Sequence, residues 1–374
     1  MLRSMYSGIS GMKANQVKLD VIGNNIANVS TTGFKASSAR FSDMLYQNMS
    51  SATAPTGQKG GTNAKQVGLG AQLSSINKVM GQGNALSTGR SLDVCVDGDG
   101  YIMVSKGPEV YKGGTSEGTG TIGIEPSGKL SGGSESEILY TRDGNFTLDY
   151  EGNLLTADGY RVMGYLIQDG EEADAKASIE WETPGGGTTK VAVANYVDAD
   201  SKTLKAVGEG KELNTLKIPD KVKTYPLNDD GTPNTSEKPI EVPVKSFSIG
   251  KDGVITAVLG DGSRTALGQI AMATFKNPEG LTTIGGNKLQ TSPNSGPEII
   301  KTPVGGMKNE GGDPEKIDNS KGFGDFIQGT LESSNVDLTE QFTDMITATR
   351  AFQASSKMIS TGDEILQTIT GLMR

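Results

Sequence analysis

Apolar residues fall into two regimes along this chain. At the N-terminus Met5, Met12, Leu19 and Ile26 recur every seven residues, with Leu2 and Ile9 on companion positions. Near the C-terminus Leu338, Met345, Phe352, Ile359, Leu366 and Met373 recur in the same way. A seven-residue recurrence lays one narrow apolar seam along a helix. Both ends therefore predict helices, and Asp337 to Glu340 places negative charge where the start of the second one favours it. Further companion positions hold Gln16 and Gly23 in the first helix, and Thr349, Ser356, Asp363 and Thr370 in the second. Small and polar companions suit a seam packed tightly against several neighbours. The alternative is an ordinary amphipathic helix pair on one domain.

Between the helices the period changes. Residues 30–67 are rich in Ser, Thr, Ala and Gly. There the stretch Ala36 to Asn48 predicts a short helix and the remainder a linker. Beyond it, "SLDVCVDGDGYIMV" alternates apolar residues across a Gly-Asp-Gly turn. "ILYTRDGNFTLDYEGNLLTADGYRVMGYLI" then carries turn pairs at Asp143-Gly144, Glu151-Gly152 and Asp158-Gly159, the rhythm of a hairpin meander. The rhythm returns at Asp252-Gly253 and Asp261-Gly262. The block from 168 to 244 separates these two β stretches, is richer in charge and proline, and holds the only tryptophan, Trp181. These shifts divide the chain into residues 1–30 with 330–374 as a helical domain and 31–70 as a linker. Residues 71–167 with 245–329 form a discontinuous β domain, and 168–244 a β domain inserted into it.

Composition narrows the chemistry. With 374 residues and 52 glycines, the chain is long enough for two or three domains but predicts several modest β cores. A net charge of −9 and 5% aromatic residues leave no basic or stacking surface for nucleic acid. The absence of histidine removes Ser-His-Asp and Cys-His catalysis and the usual zinc sites. Cys95, the one cysteine, sits in an apolar alternation and predicts a small buried residue. No apolar run reaches 18 residues, so no membrane insertion is expected, and the first residues lack a signal-peptide pattern. On those grounds alone the chain reads as cytoplasmic.

Two motifs are better explained without a ligand. "GTGTIG", Gly118 to Gly123, matches a dinucleotide fingerprint but runs into Glu125-Pro126 and opens no helix, so no cofactor is expected. Asp97, Asp99, Asp143, Asp149 and Asp158 lie at or near glycines, where aspartate stabilises turns, and no calcium loop is present. No metal or catalytic residue is assigned. A carbohydrate-active β protein is a further alternative, but no two carboxylates share an apolar setting that would separate their pKa values.

The stretch "LDVIGNNIANVSTTGFK" carries the strongest signal. Asn24, Asn25 and Asn28 interrupt an apolar seam although asparagine favours caps and turns, so each needs a polar partner. This region resembles the N-terminal signature of the flagellar rod and hook axial proteins, through Asn24, Asn25, Ala27, Asn28, Thr32, Gly33, Phe34 and Lys35, with Ser30 a departure. "LESSNVDLTEQFTDMITATRAFQ" is similar to the matching C-terminal signature, through Ser334, Asn335, Val336, Asp337, Arg350, Phe352 and Gln353. The β stretches resemble the family's shared β domain, and the middle block finds no match.

The resemblance implies a multidomain α+β protein: terminal α-helices form a coiled-coil-like inner domain, with mostly-β discontinuous middle and outer domains. It implies a structural subunit, not an enzyme, that polymerises with itself. The assembly residues would be Met5, Met12, Leu19, Asn24, Asn25, Ile26, Asn28, Gly33, Phe34, Lys35, Met345, Arg350, Phe352, Ile359 and Leu366. The asparagines would meet polar partners across a subunit boundary. The size of the block at 168–244 resembles the hook branch, a curved flexible tube, with the straight distal rod as the alternative. Partners would be the distal rod, hook cap and hook–filament junction proteins and the export apparatus. The same resemblance overrides the cytoplasmic reading: it implies export through the flagellar type III channel to an extracellular hook, without a cleaved signal.

Overall fold

The computed structural model describes residues 2–57, 59–107, 122–124, 130–131, 137–169, 179–182, 191–201, 204–206, 212–224, 239–301 and 324–372. The chain divides into two compact units. A helical unit comprises residues 1–31, 35–81 and 334–374, and a β unit comprises residues 32–34 and 82–333.

In the helical unit, α1 (Leu2–Ala27) and α2 (Leu338–Leu372) are the two predicted terminal helices. Asp337 caps α2, its carboxylate accepting the N–H groups of Thr339 and Glu340 at 2.8 and 3.3 Å. The segment between the helices and the β unit differs from expectation. Ala36 to Asn48 forms no helix. Ser37–Asp43 is a strand paired antiparallel with Ala71–Lys78, joining Ala39 to Ile76 and Phe41 to Leu73. Tyr46–Ser50 pairs with Lys65–Gly68, and bridges at Thr53–Thr62 and Thr56–Lys59 carry that hairpin outward. The supposed linker is therefore a two-stranded ribbon followed by a long, exposed hairpin. Each strand is held by a partner well along the chain, which local helix propensity does not register.

The β unit is built on the meander. Phe146–Leu148, Leu154–Thr156 and Arg161–Tyr165 follow one another antiparallel, with Gly152 and Gly159 in the left-handed region at their turns. Asp143 and Asp149 accept backbone N–H groups two residues on, the turn role expected of them, and Asp252 and Asp261 do the same. Arg161–Tyr165 and Glu137–Thr141 both pair with Tyr101–Lys106, whose side chains are buried from Tyr101 to Ser105. Val94–Asp97, with Cys95 fully buried, pairs with Asp325–Gln328.

Described residues of the block from 168 to 244 share a core with the β stretches on either side. Ala194, Leu216, Ile218 and Val222 belong to the same core as Val94, Phe146, Leu154 and Phe326. Met163 is registered with Thr215, and Lys221–Thr224 runs along Ile240–Ile249. Charge and proline content change at this block, whereas the apolar positions that decide burial continue through its described residues. Ile122–Ile124 is a strand paired with Glu212–Thr215. The rest of the GTGTIG motif lies outside the described residues, as does the side chain of Trp181.

Gly144 shows how tightly this unit closes. A Cβ there would fall 1.7 Å from the Val94 carbonyl oxygen, while at Gly159 nothing lies within 4 Å. Gly144→Ala should therefore cost on the order of 3 kcal/mol or more by forcing the turn off its neighbouring strand. Gly159→Ala pays only the left-handed backbone penalty, about 1 kcal/mol. Chemical denaturation of the two variants measures the difference, and equal losses would show that the turn relaxes freely.

Candidate assembly surface

The two helices of the helical unit meet antiparallel. Met5 lies against Gly362, Ile359 against Gly8, and Ser355 against Gly11, so residue numbers rise on one helix as they fall on the other. At Gly362 and Gly8 a Cβ would sit 3.1 Å from Met5 Cγ and 3.3 Å from Ile359 Cγ1. Glycine is used here to let the helices approach, and larger side chains of the opposite helix fill the space. Lys18 Nζ reaches Asp344 at 3.1 Å further along. Both groups are partly exposed, so the pair adds little.

Of the seam residues, Leu338 is 39% exposed and Met373 lies outside the described residues, while the others hold to the seam. Met5, Met12, Leu19 and Ile26, and Met345, Phe352, Ile359 and Leu366, are all half-buried. The companions are not. Ile9, Gln16, Gly23, Ser356, Asp363 and Thr370 are exposed, and Thr349 is half-buried. The true companions follow six of these seam residues by three: Gly8, Asn15 and Ile22 on α1, and Ala348, Ser355 and Gly362 on α2. Most of these are too small to mark an apolar pattern, which is why hydrophobicity alone missed them.

Asn25 answers the question of the asparagines. It is 1% exposed. Its amide nitrogen donates to the Ser37 carbonyl at 2.8 Å and to Gln341 Oε1 at 3.0 Å, and its oxygen accepts the Ser37 N–H at 2.9 Å. The polar partner lies within the same chain, not across a subunit boundary. Asn25 thus joins α1 to α2 and to the first strand. Asn24 and Asn28 close the end of α1 instead: Asn28 Nδ2 donates to the Asn24 carbonyl and to Asn24 Oδ1.

The remaining candidates divide between the units. Lys35 is buried in the helical unit and donates to the Gly81 carbonyl at 2.8 Å. Gly33 and the half-buried Phe34 belong to the β unit. Gly33 has φ +67°, and a Cβ on it would press on the backbone of Arg142 and Asp143. Thr32 beside it donates to Asp143 Oδ1 at 3.0 Å, and Asn287 donates to the Thr32 carbonyl at 2.7 Å. Burial pushes the Asp143 carboxyl above its ordinary value, against the opposing pull of the Thr32 and Asn145 hydrogen bonds. Arg350 is exposed.

A second apolar stripe on α2 has no partner among the described residues of the helical unit. Met358, Ile365 and Leu372, seven residues apart, are between 44% and 82% exposed, while Phe342 and Ile346 are exposed on another face nearer the start of α2. Ala354, Met358, Thr361 and Ile365, with Ser4 of α1, line a shallow surface groove. Sequence periodicity identified one seam per helix and missed this one.

Known proteins show the same arrangement of signatures. Residues 5–35 match the family described as flagella basal body rod protein, and residues 327–372 match flagellar basal body rod FlgEFG protein C-terminal. Residues 129–257 match the flagellar hook protein FlgE/F/G D1 domain. The flagellar basal-body rod protein FlgG of Bacillus subtilis (strain 168) is 37% identical over 374 residues, covering 100% of both chains. The chain belongs to the flagellar rod and hook protein family. The flagellar hook protein FlgE of Borreliella burgdorferi is 28% identical over 487 residues, again covering 100% of both chains. Among solved structures, the Helicobacter pylori flagellar hook protein FlgE2 aligns with 66% of this chain and 100% of its own at 12% identity and a TM-score of 0.36. Members of this rod and hook family are structural proteins of the flagellum. The D1 match runs unbroken through 168–244, in agreement with the shared core.

Two measurements test this geometry. On a Cys95→Ala background, Gly11→Cys with Ser355→Cys should oxidise readily to a disulfide. A Cβ on Gly11 lies 3.4 Å from the Ser355 oxygen, within reach of disulfide geometry. Gly23→Cys with Ser355→Cys should not, and mass spectrometry of the two pairs distinguishes an antiparallel pair from a shifted one. The second test concerns Asp143. With its folded pKa raised, the native state holds a proton that the unfolded chain has lost, so this group's contribution weakens as pH rises through the folded value. Asp143→Asn should abolish that part of the pH dependence while still accepting from Thr32. Denaturant midpoints of both proteins, followed from acid to neutral pH, read it directly.

Proposed function

We propose that this chain is a subunit of the distal flagellar rod, polymerising with copies of itself into a straight drive shaft. The observation that carries the reading is its similarity to a basal-body rod protein over the whole length of both chains, at 37% identity over 374 residues. Alignment with the hook protein extends over 487 residues, so that relative carries a long stretch with no counterpart here. The size of the middle block, which first favoured the hook, loses its weight because that block shares the core of the matched β domain.

The helices supply the means of assembly. A narrow seam is filled by the chain's own helix pair, and the outer stripe of α2 leaves apolar side chains in water. Burying several such side chains against a neighbouring copy is favourable by about 2 kcal/mol each. Met358, Ile365 and their neighbours are thus the grip between subunits, and Met5, Met12, Phe352 and Ile359 hold each subunit in shape for it. The action is mechanical, and no bond is made or broken.

Polymers grown from purified protein should be straight in electron micrographs, and Ile365→Asp should prevent them from forming while the β unit melts as before. An aspartate on the stripe would be buried without a partner at every contact. Curved, supercoiled tubes would instead return the chain to the hook branch. Normal polymers from Ile365→Asp would remove the outer stripe from the interface.

A further inference from the structure

The chain passes between its two units four times, after residues 31, 34, 81 and 333. On each side, segments that cross are tied to one residue. In the β unit that residue is Glu332. Its backbone carbonyl accepts from Gly33 N–H at 2.8 Å. Its carboxylate accepts from Gly83 N–H at 2.9 Å, and its strand is registered with Ala85. The carboxylate is fully buried and faces Arg142 at 3.4 Å, whose other nitrogen donates to the Gly98 carbonyl. In the helical unit the counterpart is Asn335. Its oxygen accepts from Ala36 N–H at 2.7 Å, and its nitrogen donates to the carbonyls of Val79 and Gly81 at 2.7 and 3.0 Å.

The same three segments, around 33–36, 79–85 and 332–335, are therefore laced together twice, once inside each unit. We propose that Glu332 and Asn335 are paired anchors that make these three spans share mechanical load, so that force carried along one crossing is distributed over all of them. Left unlaced, the crossings after residues 34, 81 and 333 would extend one after another under tension. Laced at both ends, they yield only when an anchor opens. Breaking the buried Glu332–Arg142 pair strands a charge, which makes that anchor the stiffer of the two. Asn335 relies on neutral hydrogen bonds and is the one that gives first. This inference rests on the axial, force-carrying role proposed above, but it is measured on single chains and does not depend on whether the polymer is rod or hook.

The test is force spectroscopy on the full chain with handles at Arg40→Cys and Tyr150→Cys in a Cys95→Ala background. Arg40 belongs to the helical unit and Tyr150, 90% exposed, to the β unit. The unmodified anchors should give no extension before a unit unfolds. Asn335→Ala should add an early, low-force lengthening, and Asn335→Asp, which keeps the acceptor for Ala36 but loses the donor to Val79 and Gly81, should add it at an intermediate force. Handles placed wholly within the β unit, at Tyr150→Cys and Glu241→Cys, should read the same unfolding force in all three proteins. Identical traces from the parent and both Asn335 variants would overturn load sharing. So would an early lengthening already present in the parent chain.

Discussion

The first and last helices of this chain are each other's partners, and everything between them must return to where it left. That covalent constraint organises the rest. It requires the β unit to receive the chain and release it at neighbouring points, which is why Gly33, Gly83 and Glu332 are hydrogen-bonded together. It also explains the placing of the buried polar residues. A long apolar seam tolerates a slip of one heptad at modest cost, whereas Asn25, facing Ser37 and Gln341, is satisfied in one alignment only.

Much of this was legible in the sequence because it follows from repetition. Seven-residue spacing located both helices, and Asp-Gly pairs at regular intervals located the meander. What escaped was set by residues with little hydrophobic signal. Gly8, Ala348 and Gly362 line the helix contact by being small, and no apolar pattern marks them. The strand at Ser37–Asp43 reads as polar linker because its partner, Ala71–Lys78, lies far along the chain. The block at 168–244 looked foreign because its surface is charged, while Leu216 and Val222 continue the same core.

The asparagines were expected to act between subunits, yet Asn25 acts within one. The tripeptide Thr32–Gly33–Phe34 stood out as part of a terminal signature, and its place is in the β unit, where Gly33 fits because a side chain would meet the backbone of Arg142. Sequence pattern marks a position as constrained. Only the three-dimensional neighbours say by what.

The glycine-lined contact between the helices has a consequence for the chain when it is alone. A helix pair held by large apolar side chains exposes all of them whenever it opens, and invites irreversible clumping. Here one side of several contacts is a bare backbone, at Gly8, Gly11 and Gly362. Opening the pair at Gly8 or Gly362 uncovers one large apolar side chain, Ile359 or Met5, where two facing large residues would uncover a pair. Cohesion is thus left to come from close fit, which appears only when the right surfaces are already together.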